Sequence, residues 1–146
     1  MIERDMTVEQ VKSLTHECAC HACEHGCHYG SGILIGKDFE NLAKKLGIAV
    51  EELKEKWLEP VEQFGQTFWR PKLLRNGKPY GPCIFFDKGC TVHDVKPLQC
   101  TLAMGCKDYG EEIMVWFMEQ YLVDPRSENS QREFRLYKES GGKTLR

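Results

Sequence analysis

The stretch "HECACHACEHGCH", from His16 to His28, sets four cysteines among four histidines in thirteen residues. Soft thiolates at this density bind metal or carry redox chemistry, because the thiolate is both the nucleophile and the metal ligand of cysteine. Cys18, Cys20, Cys23 and Cys27 form this first group in the order C-x-C-x-x-C-x-x-x-C, and Cys83, Cys90, Cys100 and Cys106 form a second, with no cysteine between. Buried structural thiols usually stand singly among apolar residues, whereas the first group sits among His, Gly and Glu. Such a segment can close on one ion, or lend two or three ligands to a cluster completed elsewhere. Closing a larger cluster with the loop alone would force its short backbone to encircle the cluster. Ligands borrowed from Cys83 and Cys90, or from Cys100 and Cys106, relieve that strain, so at least one site is expected to draw on both groups. His16, His21, His25 and His28 are read as solvated imidazoles or hydrogen-bond partners of the ligands rather than as ligands, since the cysteines suffice.

The elements that must position these residues follow from periodicity. Thr7 with Gln10 is a capping-box pattern, and Val8, Val11 and Leu14 recur at helical spacing, which predicts a helix from Thr7 to the cysteine loop. "GKDFENLAKKLG" predicts a second helix, with Asp38 as its cap, Phe39, Leu42, Ala43 and Leu46 on its apolar face, and Gly47 as its stop. "VEELKEKWLEP" predicts a third, with Val50, Leu53 and Trp57 inward and Pro60 ending it. Its Glu51, Glu52, Lys54, Glu55 and Lys56 form a solvated, ion-paired face. From Thr67 to Phe86 the pattern is extended, and "TFWRPKLL" and "YGPCIFF" flank the Asn76 and Gly77 pair as a hairpin would. A turn at "DKGC" follows, then a short helix opened by Pro97 that carries Cys100, and two C-terminal helices over Glu111–Leu122 and Ser130–Glu139. Trp57, Trp69 and Trp116 each lie in an apolar pattern and are expected to anchor the core.

Composition bounds the class. With 41% hydrophobic residues in 146, the chain can bury one modest core, and a single domain over residues 1–146 with a helical C-terminal extension is expected. A net charge of −2 offers no basic footprint for nucleic acid. "IMVWFMEQYLV" is too short to span a bilayer and is interrupted by Glu119 and Gln120, so no membrane partner is expected. "MIERDMTVEQ" lacks the basic start and apolar core of a secretory signal. A cytoplasmic setting follows as the expectation, and there eight cysteines argue for metal or redox sites rather than disulfides.

The whole layout resembles the YkgJ-type cysteine-cluster proteins, the CxxCxxCC family of zinc- or iron-chelating domains. The likeness rests on the tight cysteine start, on "DFENLAKKLGIAVEELKEKWLE", and on "GPCIFFDKGCTVHDVKPLQCTLAMGC". It sets Cys83, Cys90 and Cys100 at the positions of the family's later cysteines. Val92 and His93 stand where Ile-Tyr is usual, and Lys96 and Pro97 where Arg-Pro is usual. The start departs from the family pattern, because this chain has no adjacent cysteine pair. The resemblance implies metal binding and a small α-rich domain, and it implies no reaction.

The fold expected is therefore α+β, a mostly helical small domain with a short β-hairpin, organised around cysteine-ligated metal. All eight cysteines are candidate ligands. An all-thiolate set suits zinc and iron–sulfur clusters alike. Ligands spread over both halves, with a one-residue gap opening the set, look less like two compact zinc knuckles than like one or two [4Fe-4S]-type clusters. Three function classes are compatible: a redox or electron-transfer module, or accessory, working with a partner protein or enzyme; a structural zinc-binding interaction module; and an iron–sulfur enzyme with an open cluster site. No phosphate-binding loop or catalytic triad is present, and the radical-SAM spacing begun by Cys23 and Cys27 meets Gly30 where its third cysteine would stand.

Overall fold

The computed structural model describes residues 2–15, 27–103 and 110–141, so Cys18, Cys20, Cys23 and Cys106 lie outside the described residues. The architecture is α+β and mostly helical with one two-stranded antiparallel hairpin. Helix α1, Val8–Ser13, opens on the expected capping box: the Thr7 hydroxyl accepts from Gln10 N–H at 3.2 Å while the Gln10 side chain accepts from Thr7 N–H at 2.8 Å. Helix α2, Asp38–Leu46, buries Leu42 and Ala43 and stops at Gly47, whose φ of 68° is the left-handed cap that glycine adopts without strain. Helix α3, Val50–Trp57, buries Leu53 and runs without a loop into strand β1, Leu58–Gln63. Pro60 therefore lies inside β1, opposite Trp69, and the helix ends three residues before it.

The hairpin is not where the Asn-Gly signal put it. β1 pairs with β2, Gln66–Pro71, from Leu58 opposite Pro71 to Gln63 opposite Gln66, and the turn is Phe64 and Gly65, with φ of 49° and 73°. A left-handed phenylalanine is unfavourable by itself. Here the ring is buried, with centroids 5.2 Å from Phe134 and 5.6 Å from Tyr137, and that contact compensates for the backbone. Asn76 and Gly77 do form a turn, but it joins Leu73 to Cys83 by a single bridge rather than a ladder. Helix α4, Leu98–Ala103, carries Cys100 just after Pro97. Helix α5, Gly110–Phe117, continues as a π-helical turn over Met118–Leu122, and α6 spans Glu128–Glu139 under a Ser127 cap. Among the described residues no helix is long and apolar enough to cross a membrane.

Two apolar clusters share the interior. One joins α1, the hairpin turn and the C-terminal helices around Phe117, Ile113 and Leu102; the other joins α2, α3 and β1 around Leu42, Leu53 and Leu58 and includes Cys83. The extended segment 31–35 runs between them, and alternation sends Ile33 to the first cluster and Leu34 to the second. Leu34 N–H donates to Trp69 O at 2.8 Å, so the segment lies along β2.

Buried polar groups set the register of this segment. Gln99 Oε1 accepts from Ile33 N–H at 2.7 Å. Asp38 is the first residue of α2 rather than its cap, and its carboxylate accepts from Ile35 N–H at 2.9 Å and from Leu98 N–H at 3.3 Å. Burial raises the Asp38 pKa, and the two N–H donors oppose that rise. The charged form is thus penalised, yet both donors need an acceptor. Asp38→Ala is expected to cost about 2–3 kcal/mol in chemical denaturation, because it strands two backbone donors, whereas Asp38→Asn, which keeps one acceptor oxygen and buries no charge, costs about half as much.

Candidate metal centre

Four of the eight sequence candidates lie among the described residues, near enough to act on one another electrostatically. Cys27 lies in the helical residues 27–29, just before the extended segment, and its carbonyl accepts from Cys83 N–H at 2.8 Å. Cys83 and Cys90 flank a chain reversal. Phe86 N–H donates to Cys83 O at 2.9 Å, Asp87 N–H to Gly89 O at 2.9 Å, and both N–H and Oγ1–H of Thr91 donate to Phe85 O. Lys88 and Gly89, at φ of 56° and 140°, supply the left-handed backbone that the reversal requires. Cys100 arrives from α4 on the other side of residue 32. A Cβ at Gly32 would collide with Cys100 Sγ, so glycine is what lets the backbone approach the sulfur.

The thiols act on one another electrostatically. Burial raises the pKa of Cys83 to about 11, with the charges of Cys27 and Cys90 adding to the rise. Burial also pushes Cys100 well above the ordinary thiol range, again reinforced by Cys27, Cys83 and Cys90. Cys90 is raised by burial too, while the Lys96 ammonium partly offsets the effect. Against this, the neighbouring backbone amides of Phe85, Val92 and Gly32 lower the pKa of Cys83, Cys90 and Cys100 respectively. Donors of this kind favour the thiolate. Burial is the largest effect on each of the three, so all three thiols are harder to deprotonate than a free cysteine. Cys83, Cys90 and Cys100 form no disulfide. Among the described residues no group of three or more His, Cys, Asp or Glu side chains is arranged to hold an ion as it stands. In donor type the set suits a thiolate-ligated metal, since it offers four cysteines, two of them within the second apolar cluster.

The loop that presents Cys83 has its own anchor. Glu59 of β1 binds Arg75 through both carboxylate oxygens at 2.7 and 2.6 Å, accepts from Leu73 N–H at 2.8 Å, and lies 3.5 Å from Arg70. The Arg75 hydrogen bonds, with help from Leu73 N–H and Arg70, hold the Glu59 pKa down at about 2. A Cβ at Gly81 would run into Leu74 O, so the return of this loop also needs glycine. Trp57 stacks on Phe85 at 5.5 Å, and His28 meets Phe86 edge-on at 4.5 Å, which walls the cysteines with aromatic carbon.

Sequence reasoning missed Gly32, Asp38 in its buried role, Gln99 and the Glu59–Arg75 pair. Only the Gly30-Ser31-Gly32 run hinted at a close backbone approach. His28, set aside as a ligand, lines the groove beside the cysteines; His16, His21 and His25 lie outside the described residues. Comparison of the chain with family models found no match, and comparisons with curated proteins and with solved structures likewise found none.

In metal-free protein at pH 8, iodoacetamide is expected to label Cys83 and Cys100 more than about a hundredfold more slowly than an unperturbed cysteine, because so little of either is thiolate. Peptide mapping by mass spectrometry reads the rates. Glu59 predicts an acid limb in stability. Its depressed pKa contributes stability above the unfolded value near 4.5, and that contribution is lost as pH falls through about 2. Discounted for the surface setting of the pair, the loss is about 1–2 kcal/mol. Glu59→Gln should flatten this limb of the denaturation profile.

Proposed function

We propose that Cys27, Cys83, Cys90 and Cys100 ligate a metal centre, an iron–sulfur cluster, and that the chain is a small redox or electron-transfer protein or an accessory to a partner enzyme. The observation that carries this reading is that four buried or half-buried thiols, from positions 27 to 100, lie near enough to act on one another electrostatically. Hydrogen bonds to the sulfurs, burial and local charge are the means by which a protein tunes such a centre. When bound, the cluster would supply one-electron transfer. The chain's own part is to hold the thiolates, to exclude water with Trp57, Phe85 and Phe86, and to close the site by the approach of Gly32. The resemblance to the YkgJ-type family belongs to the same proposal, since the three later cysteines it aligns are three of the four that converge. A cytoplasmic setting, where thiols stay reduced, completes the reading. Four thiolates also suit zinc, but ligands drawn from such separate parts of the chain favour the cluster over a compact knuckle.

Protein purified without oxygen is expected to be brown, to contain iron and acid-labile sulfide, and to lose both in Cys83→Ser and Cys100→Ser. Removal of the metal should lower stability on the order of several kcal/mol. Colourless protein with stoichiometric zinc would replace the cluster by a structural zinc centre. Protein that binds neither metal, with cysteine variants as stable as the parent, would overturn the site altogether.

A further inference from the structure

Three of the four large hydrophobic side chains exposed among the described residues gather beside the cysteines: Tyr29, Leu74 and Tyr80, at 52, 54 and 45% exposure. The Tyr29 and Tyr80 rings lie 5.8 Å apart, and Lys78 Nζ stands 5.8 Å from the centre of the Tyr80 ring. Leu74, Lys78 and Tyr80 line a groove with His28, next to Cys27, and Pro82, next to Cys83, and Tyr29 adjoins it through the Tyr80 ring. Its floor is rigid. Leu74 N–H donates to Pro82 O at 2.8 Å, Lys78 N–H to Arg75 O at 2.9 Å, and Arg75 is clamped by Glu59. A preformed aromatic groove of this kind loses little entropy on binding, and tyrosine and arginine are the residues that dominate interface energetics.

Charge identifies the occupant. Among the described residues the charged side chains lining the groove are Arg75 and Lys78, and no carboxylate of those residues lines it. Glu59 is shared between Arg70 and Arg75, so that trio keeps one net positive charge, and Lys78 adds a second. The pairing with Glu59 uses two of the five N–H donors of Arg75 and leaves the others for a ligand. A positive groove on a chain of net charge −2 is a local feature rather than a reflection of overall charge.

We propose that this groove docks an acidic segment of a partner protein, which sets a carboxylate between Arg75 and Lys78 and an apolar side chain against Leu74 and Tyr80. A single-stranded nucleic acid would also stack on tyrosines, but two positive charges release few counterions. The inference extends the metal-centre reading to its partner class, and the two fail separately, because metal content reports the cysteines and peptide capture reports the groove.

The test pans the whole chain, purified without oxygen, against a displayed random-peptide library, and then measures the enriched peptides in solution. Enrichment of peptides with Asp or Glu close to Leu, Phe or Trp is expected. Binding should weaken about tenfold in Lys78→Glu and in Tyr80→Ala, weaken again at raised salt, and be unchanged in Leu136→Ala, which alters the exposed hydrophobic on α6. Circular dichroism and metal content equal to the parent would show that the variants keep the fold and the centre. Failure to enrich any peptide, enrichment of basic or uncharged ones, insensitivity to both groove variants, or tighter capture of oligo-dT than of the acidic peptides would overturn the proposal.

Discussion

The fold depends on a short seam of buried polar contacts between the segment 31–35 and the start of α4. Gln99 holds Ile33, Asp38 holds Ile35 and Leu98 together, and Gly32 lies directly against the sulfur of Cys100. Each contact joins residues about 60 positions apart or more, or completes a chain of contacts that does, and each is buried or partly buried. In that setting an unmet N–H is costly, so the register of the segment is set by hydrogen bonds and not by apolar contact alone. A slip of one residue would exchange Ile33 and Leu34 between the two apolar clusters and would drive a side chain into Cys100.

That seam explains how so small a chain joins cysteines from its two halves. The residues following Cys27 are tied to the helix that carries Cys100, and the carbonyl of Cys27 is tied to the amide of Cys83. Cys90 is brought back by the reversal at Lys88 and Gly89, and the loop before Cys83 is fastened to β1 through Glu59 and Arg75. The four thiols are therefore held by four distinct local devices. The raised thiol pKa values are a property of the assembled pocket, since desolvation and the mutual effect of the thiols arise only when the pieces are packed together.

Local features were legible wherever a side chain acts on its own neighbourhood. The capping box at Thr7 and Gln10, the glycine stop at Gly47, the helix after Pro97 and the amphipathic faces of α2 and α3 follow from interactions within a few residues. The mostly helical α+β class follows from the same periodicities. The grouping of eight cysteines into two sets, and with it the expectation of metal chemistry, is likewise written in composition and spacing.

Tertiary structure decided the rest. Phe64 and Gly65, not Asn76 and Gly77, turn the hairpin, because burial of one phenylalanine against Phe134 and Tyr137 outweighs the local preference of an Asn-Gly pair. Pro60 enters a strand because a two-stranded hairpin leaves its outer edge free of ladder bonds. Asp38 exchanges the local role of a cap for a bridge between Ile35 and Leu98, and the second of these donors lies 60 residues away in sequence. Which thiols share a pocket was beyond spacing for the same reason: Cys27 and Cys83 meet through contacts that exist only once both apolar clusters have formed.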